Sequence, residues 1–343
     1  MKRLVLIDGH ALLHRAYHAF PLTLKTRRGE LVNAVYGFTR MLLTVLENLK
    51  PQFLAVAFDL PQPTFRHHEY IGYQVQRPEM DRELKSQIER VYQIVRALNI
   101  PIFTAPGFEA DDVIGTLARQ AVKSQKTRNT RKTRKSENQK IRSSDQDDLL
   151  KHRLSESFID GFGDIEVIIM TGDKDMMQLV NTQVKVYMPR RGFSEPELFD
   201  QQKVKDFLGV TPEQVVDYKA LIGDASDNYP GVSGIGPKTA VELLNKYGSL
   251  DKIYQNLKKI KPLLGEKLKE GKENALLSKK LATIVTNVPL KLDLKACRVH
   301  DYDRQKAVKL FEELEFKSLI DKLPGREKEK EKTKKNQQIE LFK

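Results

Sequence analysis

Short apolar runs that alternate with helix-period stretches constrain the fold of this chain more than any other feature. Five runs are typical of buried strands: Leu4–Ile7, Phe53–Phe58, Ile100–Phe103, Ile165–Met170 and Val184–Met188. Between them, apolar residues recur at helical spacing in Ala11–Phe20, Ala34–Leu49, Arg82–Leu98 and Asp112–Val122. Repeated strand-then-helix order predicts an α/β fold with a mainly parallel central sheet and flanking helices.

The pattern changes after about residue 190, where helical stretches follow one another: Pro212–Ile222, Pro237–Tyr247, Ala275–Thr286 and Gln305–Leu314. We therefore predict an α/β core over residues 1–190 and a smaller helical region over 191–322. The last segment, 323–343, begins as alternating Glu and Lys and is predicted to be a disordered charged tail.

A second segment, residues 123–153, also breaks the pattern. It holds eleven Lys and Arg residues against four acids and almost no apolar residues before Leu149. Such a composition cannot bury enough apolar surface to offset the loss of chain entropy. We predict that this segment is a disordered basic insertion.

Charge and cysteine content narrow the class of protein. The 343 residues carry a formal net charge of +13, which favours a polyanionic partner, nucleic acid before membrane. Cys297 is the only cysteine, so intramolecular disulfides and cysteine zinc clusters are excluded. No apolar run approaches the ~20 residues of a membrane span. These features predict a protein of the reducing cytoplasm.

Acidic residues follow the predicted strands. Asp8 and Asp59 end the first two runs directly, and Asp173 and Asp175 follow the Ile165–Met170 run. The other acids stand at the start of a predicted helix and in a later loop, and the full set is Asp8, Asp59, Glu109, Asp111, Asp112, Asp173, Asp175, Asp224 and Asp227. Because the carboxyl ends of parallel strands share one edge of a sheet, we expect these side chains to converge.

One aspartate alone is better explained as a helix cap or a turn residue. Nine carboxylates at one edge repel each other strongly unless cations bind among them. Oxygen ligands without His or Cys suit Mg²⁺ or Mn²⁺. Two such ions, about 4 Å apart, are the usual arrangement for phosphodiester hydrolysis.

A glycine-rich turn opens a later helix. Its residues run Gly231-Val-Ser-Gly234-Ile-Gly236-Pro237-Lys238-Thr239. It follows an acidic loop and not a strand, which excludes a dinucleotide-binding fingerprint, and Pro237 separates Gly236 from Lys238, which excludes a P-loop. Backbone N–H groups and a helix N-terminus can bind a phosphate here. The turn resembles a helix-hairpin-helix, which predicts DNA-backbone contacts from Gly231, Gly234, Gly236, Lys238 and Thr239, with K⁺ as a candidate ion.

Taken in order, these motifs resemble the 5′-nucleases, namely the N-terminal 5′→3′ exonuclease domain of bacterial DNA polymerase I and its flap-endonuclease relatives. The resemblance covers roughly residues 2–322 apart from the insertion. Its motifs are Leu-Ile-Asp8-Gly-His, Phe-Asp59, Phe65-Arg66-His67, Gly107-Phe-Glu109-Ala-Asp111-Asp112-Val, Thr171-Gly-Asp173-Lys-Asp175, Gly223-Asp224-Ala-Ser-Asp227-Asn and the glycine turn.

The resemblance implies a PIN-like 5′-nuclease fold and two metal ions. Asp8, Asp59, Glu109 and Asp111 are expected around the first ion. Asp173, Asp175, Asp224 and Asp227 are expected around the second, with Asp112 beside them. The implied activity is a structure-selective 5′→3′ exonuclease or flap endonuclease of DNA replication and repair.

The resemblance also places a helical arch over about residues 65–99, which a 5′ single strand threads. Arg66, Arg77 and Arg82 are candidates to hold phosphates. Tyr73, like Tyr70, either stacks on bases or packs inside the protein. Gln74 stands where the family commonly has a lysine that meets the scissile phosphate, and an amide brings no positive charge there.

The sequence Gln338-Ile-Glu-Leu341-Phe342 ends the charged tail. It resembles the peptide by which bacterial replication proteins bind the sliding clamp, with Leu341 and Phe342 as the apolar anchors and Gln338 orienting them. The alternative is an amphipathic tail that folds back on the core. This ending also makes the chain resemble the stand-alone form of the nuclease.

The implied substrates are DNA with a 5′ flap, nick or 5′ end and the RNA primer of RNA–DNA hybrids, acted on by a monomer at the bacterial nucleoid. Two alternatives stay open. A structure-selective DNA-binding protein with weak or lost catalysis is favoured only by Gln74. A ribonuclease of the wider metal-dependent group is disfavoured by the glycine turn.

Overall fold

The computed structural model describes residues 1–135, 164–189 and 196–324. The elements up to residue 189 are β1 (Lys2–Asp8), α1 (Gly9–Ala19), α2 (Asn33–Leu49), β2 (Phe53–Ala57), α3 (Phe65–Glu69), α4 (Arg82–Lys85), α5 (Ile88–Ala97), β3 (Ile102–Phe103), α6 (Ala110–Lys135), β4 (Ile165–Met170) and β5 (Val184–Met188). A short 3₁₀ helix, Asp175–Leu179, lies between the last two strands.

The elements after residue 195 are β6 (Glu197–Phe199), α7 (Gln201–Leu208), α8 (Val215–Ile222), α9 (Pro237–Tyr247), α10 (Leu250–Gln255), α11 (Pro262–Glu270), α12 (Lys272–Ala282), α13 (Arg304–Glu313) and α14 (Lys317–Ile320). Two further 3₁₀ helices are Pro212–Gln214 and Leu257–Lys259. In the described ranges, no helix is both long enough and apolar enough to cross a lipid bilayer.

The chain forms two compact units that alternate along the sequence. The first unit consists of residues 1–8, 57–79 and 103–292, and the second of residues 9–56, 80–102 and 293–324, as far as each is described. All nine predicted carboxylates belong to the first unit. The candidate site is therefore built within one unit.

The sheet strands of the first unit lie in the order β1-β4-β5-β6, and β2 and β3 complete the six strands of the sheet. β1 pairs with β4 and β4 with β5 in parallel, with Ile7 opposite Met170 at the carboxyl end. β6 is antiparallel to β5. Residues 4–7 of β1 are fully buried, as expected of a strand covered on both faces. The predicted, mainly parallel α/β architecture is confirmed.

Helices dominate the first unit after β6. α8 packs against α12 and α9, and a turn over residues 223–236 joins α8 to α9. Gly236 caps α9 and Pro237 takes its first position, where a missing backbone N–H costs nothing. The expectation of a helical region is confirmed apart from β6, a three-residue strand that lies within it.

The second unit is held together by polar contacts that cross between its segments. Gln87 Oε1 accepts a hydrogen bond from Ala34 N at 2.9 Å, and its Nε2 donates to Asn33 Oδ1 at 2.9 Å. Gln87 thereby provides an acceptor for buried N–H groups in the first turn of α2, which have no partner within the helix. Arg90 pairs with Glu30 at 2.6 Å and with Glu313 at 2.8 Å, which ties α5 to α13.

Two predicted elements differ from the structure. The single helix expected over Arg82–Leu98 is two helices, α4 and α5, which flank Ser86 and the buried Gln87. α6 continues through Lys135, into the segment for which the sequence predicts a disordered insertion, and the disorder of that segment stays a prediction. Extending a formed helix avoids the cost of nucleation, and Lys, Arg and Gln favour it. The rest of that insertion, 136–153, and the tail from residue 325 lie outside the described residues.

Candidate active site

The ends of β1 and β4 bring two of the predicted carboxylates together. Asp8 is the last residue of β1 and is 5% exposed. Thr171, directly after β4, donates from Oγ1 to Asp8 Oδ2 at 2.9 Å and accepts from Asp173 N at 3.0 Å. Because the two strands are parallel neighbours, a single threonine positions both aspartates at one edge of the sheet.

The start of α6 adds the next group of acids. Asp59 Oδ1 accepts a hydrogen bond from Ala110 N at 2.8 Å, so its carboxylate caps this helix. Glu109 Oε1 accepts from Thr64 Oγ1 at 3.2 Å, and its Oε2 accepts from the Tyr73 hydroxyl at 3.3 Å. Asp59, Glu109 and Asp111 thus stand around one helix terminus, whose dipole favours negative charge.

Burial and neighbouring negative charge raise the pKa of two carboxyl groups at this helix terminus, Asp111 and Glu109. Burial, reinforced by the charges of Asp173, Asp8, Asp59 and Glu109, raises the pKa of Asp111 well above its usual range. Burial raises the pKa of Glu109 to about 7 in spite of the nearby positive charge of Arg66. Burial thus opposes ionisation of both Asp111 and Glu109.

The second group is formed by Asp175, Asp224 and Asp227. Asp224 Oδ1 accepts from Ser226 N at 2.7 Å, which closes the loop before the glycine turn. Burial and the charge of Asp173 raise the pKa of Asp175 to about 7. Burial also raises the pKa of Asp227, against the hydrogen bond that it accepts from Gln74.

A lysine that the sequence analysis missed lies in the second group. Lys219 on α8 places its Nζ 2.5 Å from Asp175 Oδ1 and donates a hydrogen bond to Asp224 Oδ2. Its position five residues before Asp224, on the helix that leads into the acidic loop, was the available signal. The motif of the acidic loop begins only at Gly223, after Lys219, so this cation was overlooked.

The donor chemistry of the two groups fits divalent cations that prefer oxygen. The predicted ligands in them are all carboxylates, and burial together with neighbouring negative charge raises the pKa of Asp111 and Asp175, which a bound cation would oppose. Across the described ranges, no three His, Cys, Asp or Glu side chains stand as a ready set of metal ligands. Binding of an ion would therefore draw the carboxylates closer together.

The structure corrects the roles expected for Asp112 and Arg66. Asp112 is fully buried, and its oxygens accept from Arg66 Nη1 at 2.7 Å, Arg66 Nη2 at 2.9 Å, Glu109 N at 3.1 Å and Val285 N at 2.8 Å. Arg66 also donates to the carbonyls of Leu281 and Thr283. Both side chains have used their hydrogen-bonding capacity inside the protein. In the structure they pair with each other and position the start of α6, in place of the metal and phosphate contacts expected of them.

Tyr73 is also corrected, from a base-stacking residue to a packing residue. It is 3% exposed and packs with Tyr229, Leu281 and Ala282. The ring of the half-buried Tyr70 contacts Gly72 of the same turn, so close that a Cβ there would lie 2.7 Å from it. Of the two interpretations that the sequence left open, packing is confirmed for Tyr73.

Gln74 is tied to Asp227 in two ways. Its Nε2 donates to Asp227 Oδ1 and its backbone N–H donates to Asp227 O, both at 3.0 Å. Its φ of +54° shows that a tight turn holds it there.

Arg77, in the same turn, is exposed, and its positive charge acts to lower the pKa of Asp227. Arg82 is exposed on α4 in the second unit.

The glycine turn presents an open surface at the start of α9. Gly234, Gly236 and Lys238 are exposed, Thr239 is half-buried, and Gly231 is buried against the turn. Gly231 has a φ of +64°, and a Cβ there would lie 2.2 Å from Gly223 N, so only glycine fits. Lys267 on α11 brings its Nζ to 2.8 Å from where a Cβ on Gly234 would stand. This second cation was not foreseen from the sequence.

The predicted clamp-binding residues Gln338, Leu341 and Phe342 lie outside the described residues. Their role stays a prediction.

Comparison with known families settles the relationship that the motifs suggested. Residues 3–149 match the family model of the 5′-3′ exonuclease N-terminal, resolvase-like domain, and residues 210–305 match the model of the 5′-3′ exonuclease C-terminal SAM fold. The chain belongs to the 5′-3′ exonuclease family. The two family models cover both the site carboxylates at the start of α6 and the glycine turn.

Curated relatives of this exonuclease family member are DNA polymerases I. The chain is 42% identical over 329 residues to DNA polymerase I of Chloroflexus aurantiacus, covering 94% of this chain and 31% of that protein. It is 36% identical over 323 residues to DNA polymerase I of Bacillus subtilis, covering 94% and 33%. The chain thus spans about a third of the length of these relatives.

Solved structures agree on the fold. A phage T5 D15 flap endonuclease, in complex with DNA and metal ions, matches with a TM-score of 0.58 and 17% identity over 92% of this chain and 100% of that chain. The catalytic core of Rad2 with a DNA substrate matches with a TM-score of 0.50 and 17% identity over 91% and 87%. The expected PIN-like 5′-nuclease fold is confirmed.

Proposed function

We propose that this chain is a structure-selective 5′→3′ exonuclease and flap endonuclease that hydrolyses phosphodiester bonds with two divalent ions, Mg²⁺ or Mn²⁺. The observation that carries the proposal is the convergence of carboxylates from separate segments, with raised pKa values at Glu109, Asp111 and Asp175. Proteins tolerate such charge where cations bind. The T5 relatives with bound metal ions, zinc among them, support the same conclusion.

Eight carboxylates would hold the ions. Asp8, Asp59, Glu109 and Asp111 form the first set, and Asp173, Asp175, Asp224 and Asp227 form the second. When bound, the ions supply a nucleophile at neutral pH and offset charge on the reacting phosphate. Thr171 fixes Asp8 and Asp173, and the Arg66–Asp112 pair fixes the backbone N–H of Glu109. The carboxylates are thus held in place before substrate arrives.

Duplex DNA would be held by the glycine turn. The exposed N-terminus of α9, with Lys238 and Lys267 beside it, offers backbone N–H groups and positive charge to a phosphate. These contacts read no base and therefore suit a nuclease that recognises structure and not sequence. Arg77 and Arg82 are proposed to contact phosphates of the 5′ strand, and K⁺ is proposed as an ion at the turn.

The cellular role is proposed from the relatives. Their polymerase names support work on DNA during replication and repair, including removal of flaps and RNA primers from lagging-strand fragments. We further propose that the chain acts as a monomer in the cytoplasm at the nucleoid, and that Gln338, Leu341 and Phe342 bind the sliding clamp.

A DNA-binding protein with weak catalysis is the second candidate. It is favoured by two observations, the amide of Gln74 in place of a lysine and the ammonium of Lys219 among the acids. If this second function is correct, the protein would bind DNA flap junctions and release them without cleavage.

One experiment separates the two functions. A labelled 5′-flap duplex is incubated with the wild type, with Asp111→Asn and with Glu213→Gln, in Mg²⁺ or in EDTA. Glu213 is an exposed acid outside both carboxylate groups and serves as the matched control. We expect cleavage by the wild type and Glu213→Gln in Mg²⁺ only, and a loss of at least about 100-fold in Asp111→Asn. Intact flap binding without cleavage by the wild type in Mg²⁺ would favour the DNA-binding protein.

A further inference from the structure

Two aliphatic side chains point into solvent from the turn that follows α3. Ile71 is 91% exposed, more than any other large apolar side chain in the described ranges, and Val75 is 69% exposed. Ile71 precedes Gln74 by three positions, and Val75 follows it directly. A single exposed apolar residue is ordinary on a protein surface, whereas two of them within five positions beside the candidate site indicate a contact surface.

The turn packs its other large side chains inward. Three overlapping backbone hydrogen bonds, each donated by residue i+3 to residue i, span positions 70–77 at 2.9, 3.3 and 2.9 Å. Tyr73 is 3% exposed and packs with Tyr229, and the half-buried Tyr70 packs against the same cluster. The aromatic residues of the turn therefore belong to the protein interior, while its aliphatic residues face outward.

Contacts with the loop 224–228 hold the turn in this orientation. Gln74 donates from its backbone N and from Nε2 to Asp227, both at 3.0 Å, and Asn228 Nδ2 donates to Gly72 O at 2.7 Å. Gln74 and Asn228 have φ values of +54° and +57°, which non-glycine residues seldom adopt. Rotating the turn to bury the two aliphatic side chains would break these hydrogen bonds. Their exposure is therefore a consequence of the fold.

The surroundings of the two side chains favour a nucleic-acid strand as their partner. Arg77, in the same turn, is exposed and positively charged, and Asp227 is one of the carboxylates of the candidate site. Surfaces that bind single strands combine positive charge for the phosphates with apolar contacts for the bases. Isoleucine and leucine supply such base contacts in other DNA-binding proteins. A protein docked on the same side chains would lie beside the candidate site and hinder its substrate.

We propose that Ile71 and Val75 contact the nucleobases next to the cleaved bond, so that the protein recognises the presence of a base there without recognising which base it is. The proposal rests on the nuclease function proposed above and deepens it by naming the residues that contact the bases. Aliphatic groups offer no hydrogen bonds, so this contact tolerates every base. Arg77 contacts the neighbouring phosphate in this arrangement.

The test compares intact and abasic substrates. Fluorescence anisotropy in EDTA measures the affinity of the whole chain for 5′-flap duplexes that are intact or carry one abasic site, placed in turn at each of the two nucleotides on either side of the junction. We expect the wild type to bind at least one abasic flap about tenfold more weakly than the intact flap. The double variant Ile71→Ser with Val75→Ser should bind the intact flap about tenfold more weakly than the wild type does and should no longer distinguish it from the abasic flap.

Two single variants serve as matched controls. Gln76→Ser changes an exposed polar residue of the same turn, and Leu263→Ser removes an apolar side chain that is 70% exposed on α11. Both should keep the wild-type preference for the intact flap. All variants should melt at the wild-type temperature, because exposed side chains contribute little to stability. A lower melting temperature of the double variant alone would refute the proposal, since its two side chains would then pack within the protein.

Additive effects of the protein and substrate changes would also overturn the proposal. A double variant that still loses tenfold on the abasic flap, or that binds the intact flap as the wild type does, makes no base contact through these residues. Cleavage in Mg²⁺ separates this outcome from failure of the proposed function. Flap binding without cleavage by the wild type would refute the nuclease and leave the base contact standing, whereas cleavage by a wild type that binds abasic and intact flaps equally would refute the base contact alone. Failure of the wild type to bind any flap would refute both.

Discussion

At the residue scale, the pKa of Glu109 is set by opposing effects of hydrogen bonds, charge and burial. Thr64 and Tyr73 each donate a hydrogen bond to one of its oxygens, and Arg66 Nη1 lies 3.4 Å from Oε2. These contacts favour the carboxylate, yet burial and the neighbouring acids outweigh them and raise its pKa to about 7. Ionisation of Glu109 near neutral pH therefore costs folding free energy unless a cation is bound.

The free-energy cost of ionising Glu109 predicts that the wild type and the variant Glu109→Gln differ in stability by an amount that depends on pH, when measured in EDTA. Glu109 has a higher pKa in the folded chain than its ordinary 4.5, so its contribution to stability is full below about pH 4.5 and is lost as pH rises through about 7. Glu109→Gln cannot ionise. Urea denaturation should show the variant gaining about 3 kcal/mol of unfolding free energy relative to the wild type between pH 4.5 and 7.5.

Glu213→Gln is the control for that series and should show no such trend, since Glu213 is exposed and outside the carboxylate groups. A constant difference between Glu109→Gln and the wild type across the pH range would contradict the explanation. Added Mg²⁺ should remove most of the difference at pH 7.5, because a bound cation stabilises the ionised wild-type side chain.

Among the elements, α3 depends on its anchoring. It has five residues, too few for a stable isolated helix, so its place is set by tertiary contacts. Arg66 reaches from α3 to Asp112 on α6 and to carbonyl groups at the end of α12 and directly after it, and its side chain is 3% exposed. Glu69, on the same helix, pairs with Lys280 at 2.6 Å but is 40% exposed.

The two ion pairs of α3 should therefore differ in their effect on stability. Arg66→Met leaves the buried Asp112 carboxylate without a partner and should cost about 3–5 kcal/mol of unfolding free energy. Glu69→Gln breaks an exposed pair and should cost less than about 1 kcal/mol. Denaturant unfolding of both variants measures this. Equal losses would show that Arg66 does not anchor the helix.

The glycine turn between α8 and α9 offers a test that separates folding from DNA binding. Gly231→Ala puts a Cβ 2.2 Å from a backbone nitrogen at a φ of +64° and should lower the melting temperature. Gly236 has a φ of −96°, and a Cβ there meets nothing within 4 Å. Gly236→Ala should keep the wild-type melting temperature and weaken duplex binding, because the methyl group projects where a phosphate is expected.

For both glycine variants, fluorescence anisotropy measures the affinity for a 5′-flap duplex and thermal melting measures the melting temperature. Lys258→Ala, a change at an exposed residue of the 3₁₀ helix Leu257–Lys259, serves as the control and should affect neither property strongly. Wild-type affinity in Gly236→Ala would contradict phosphate binding at the start of α9.

Elements bounded by strong local signals could be predicted from the sequence. β4 and β5 have the predicted limits, because each is an apolar run between polar residues. The strand-end aspartates followed from the rule that parallel strands share a carboxyl edge. The break between α4 and α5 carried no local signal, since Gln87 is placed by its contacts with the start of α2. Arg66 and Tyr73 were misassigned because their partners lie far away along the chain. Lys219 was missed although Asp224 stands only five residues after it.

At the scale of the whole molecule, charge is unevenly distributed. The net charge is +13, yet residues 123–153 alone hold eleven basic and four acidic residues. The proposed site, by contrast, gathers carboxylates. We therefore expect positive charge elsewhere in the chain to attract the DNA backbone, and we expect cations to bind among the carboxylates of the proposed site.

This distribution predicts the salt dependence of DNA binding. Replacing the eleven basic residues of 123–153 by Gln should lower the slope of log K against log salt concentration by several units if they contact phosphates. Flap cleavage at low salt should persist. A variant in which the same segment is shuffled at constant composition is the control and should keep the wild-type slope. An unchanged slope in the Gln variant would show that this segment does not contact DNA.

The pairing of β1 with β4 has a consequence for how the chain is made. Lys2 stands opposite Ile165, and the Arg3–Glu166 contact across these strands spans 163 positions of sequence. At a synthesis rate of ~5–20 residues per second, the ribosome needs roughly 10–30 s to deliver the partner of the first strand. Until then, the apolar stretch of residues 4–7 lacks the neighbour that covers one of its edges. An apolar strand that waits this long for its partner is exposed to aggregation during synthesis.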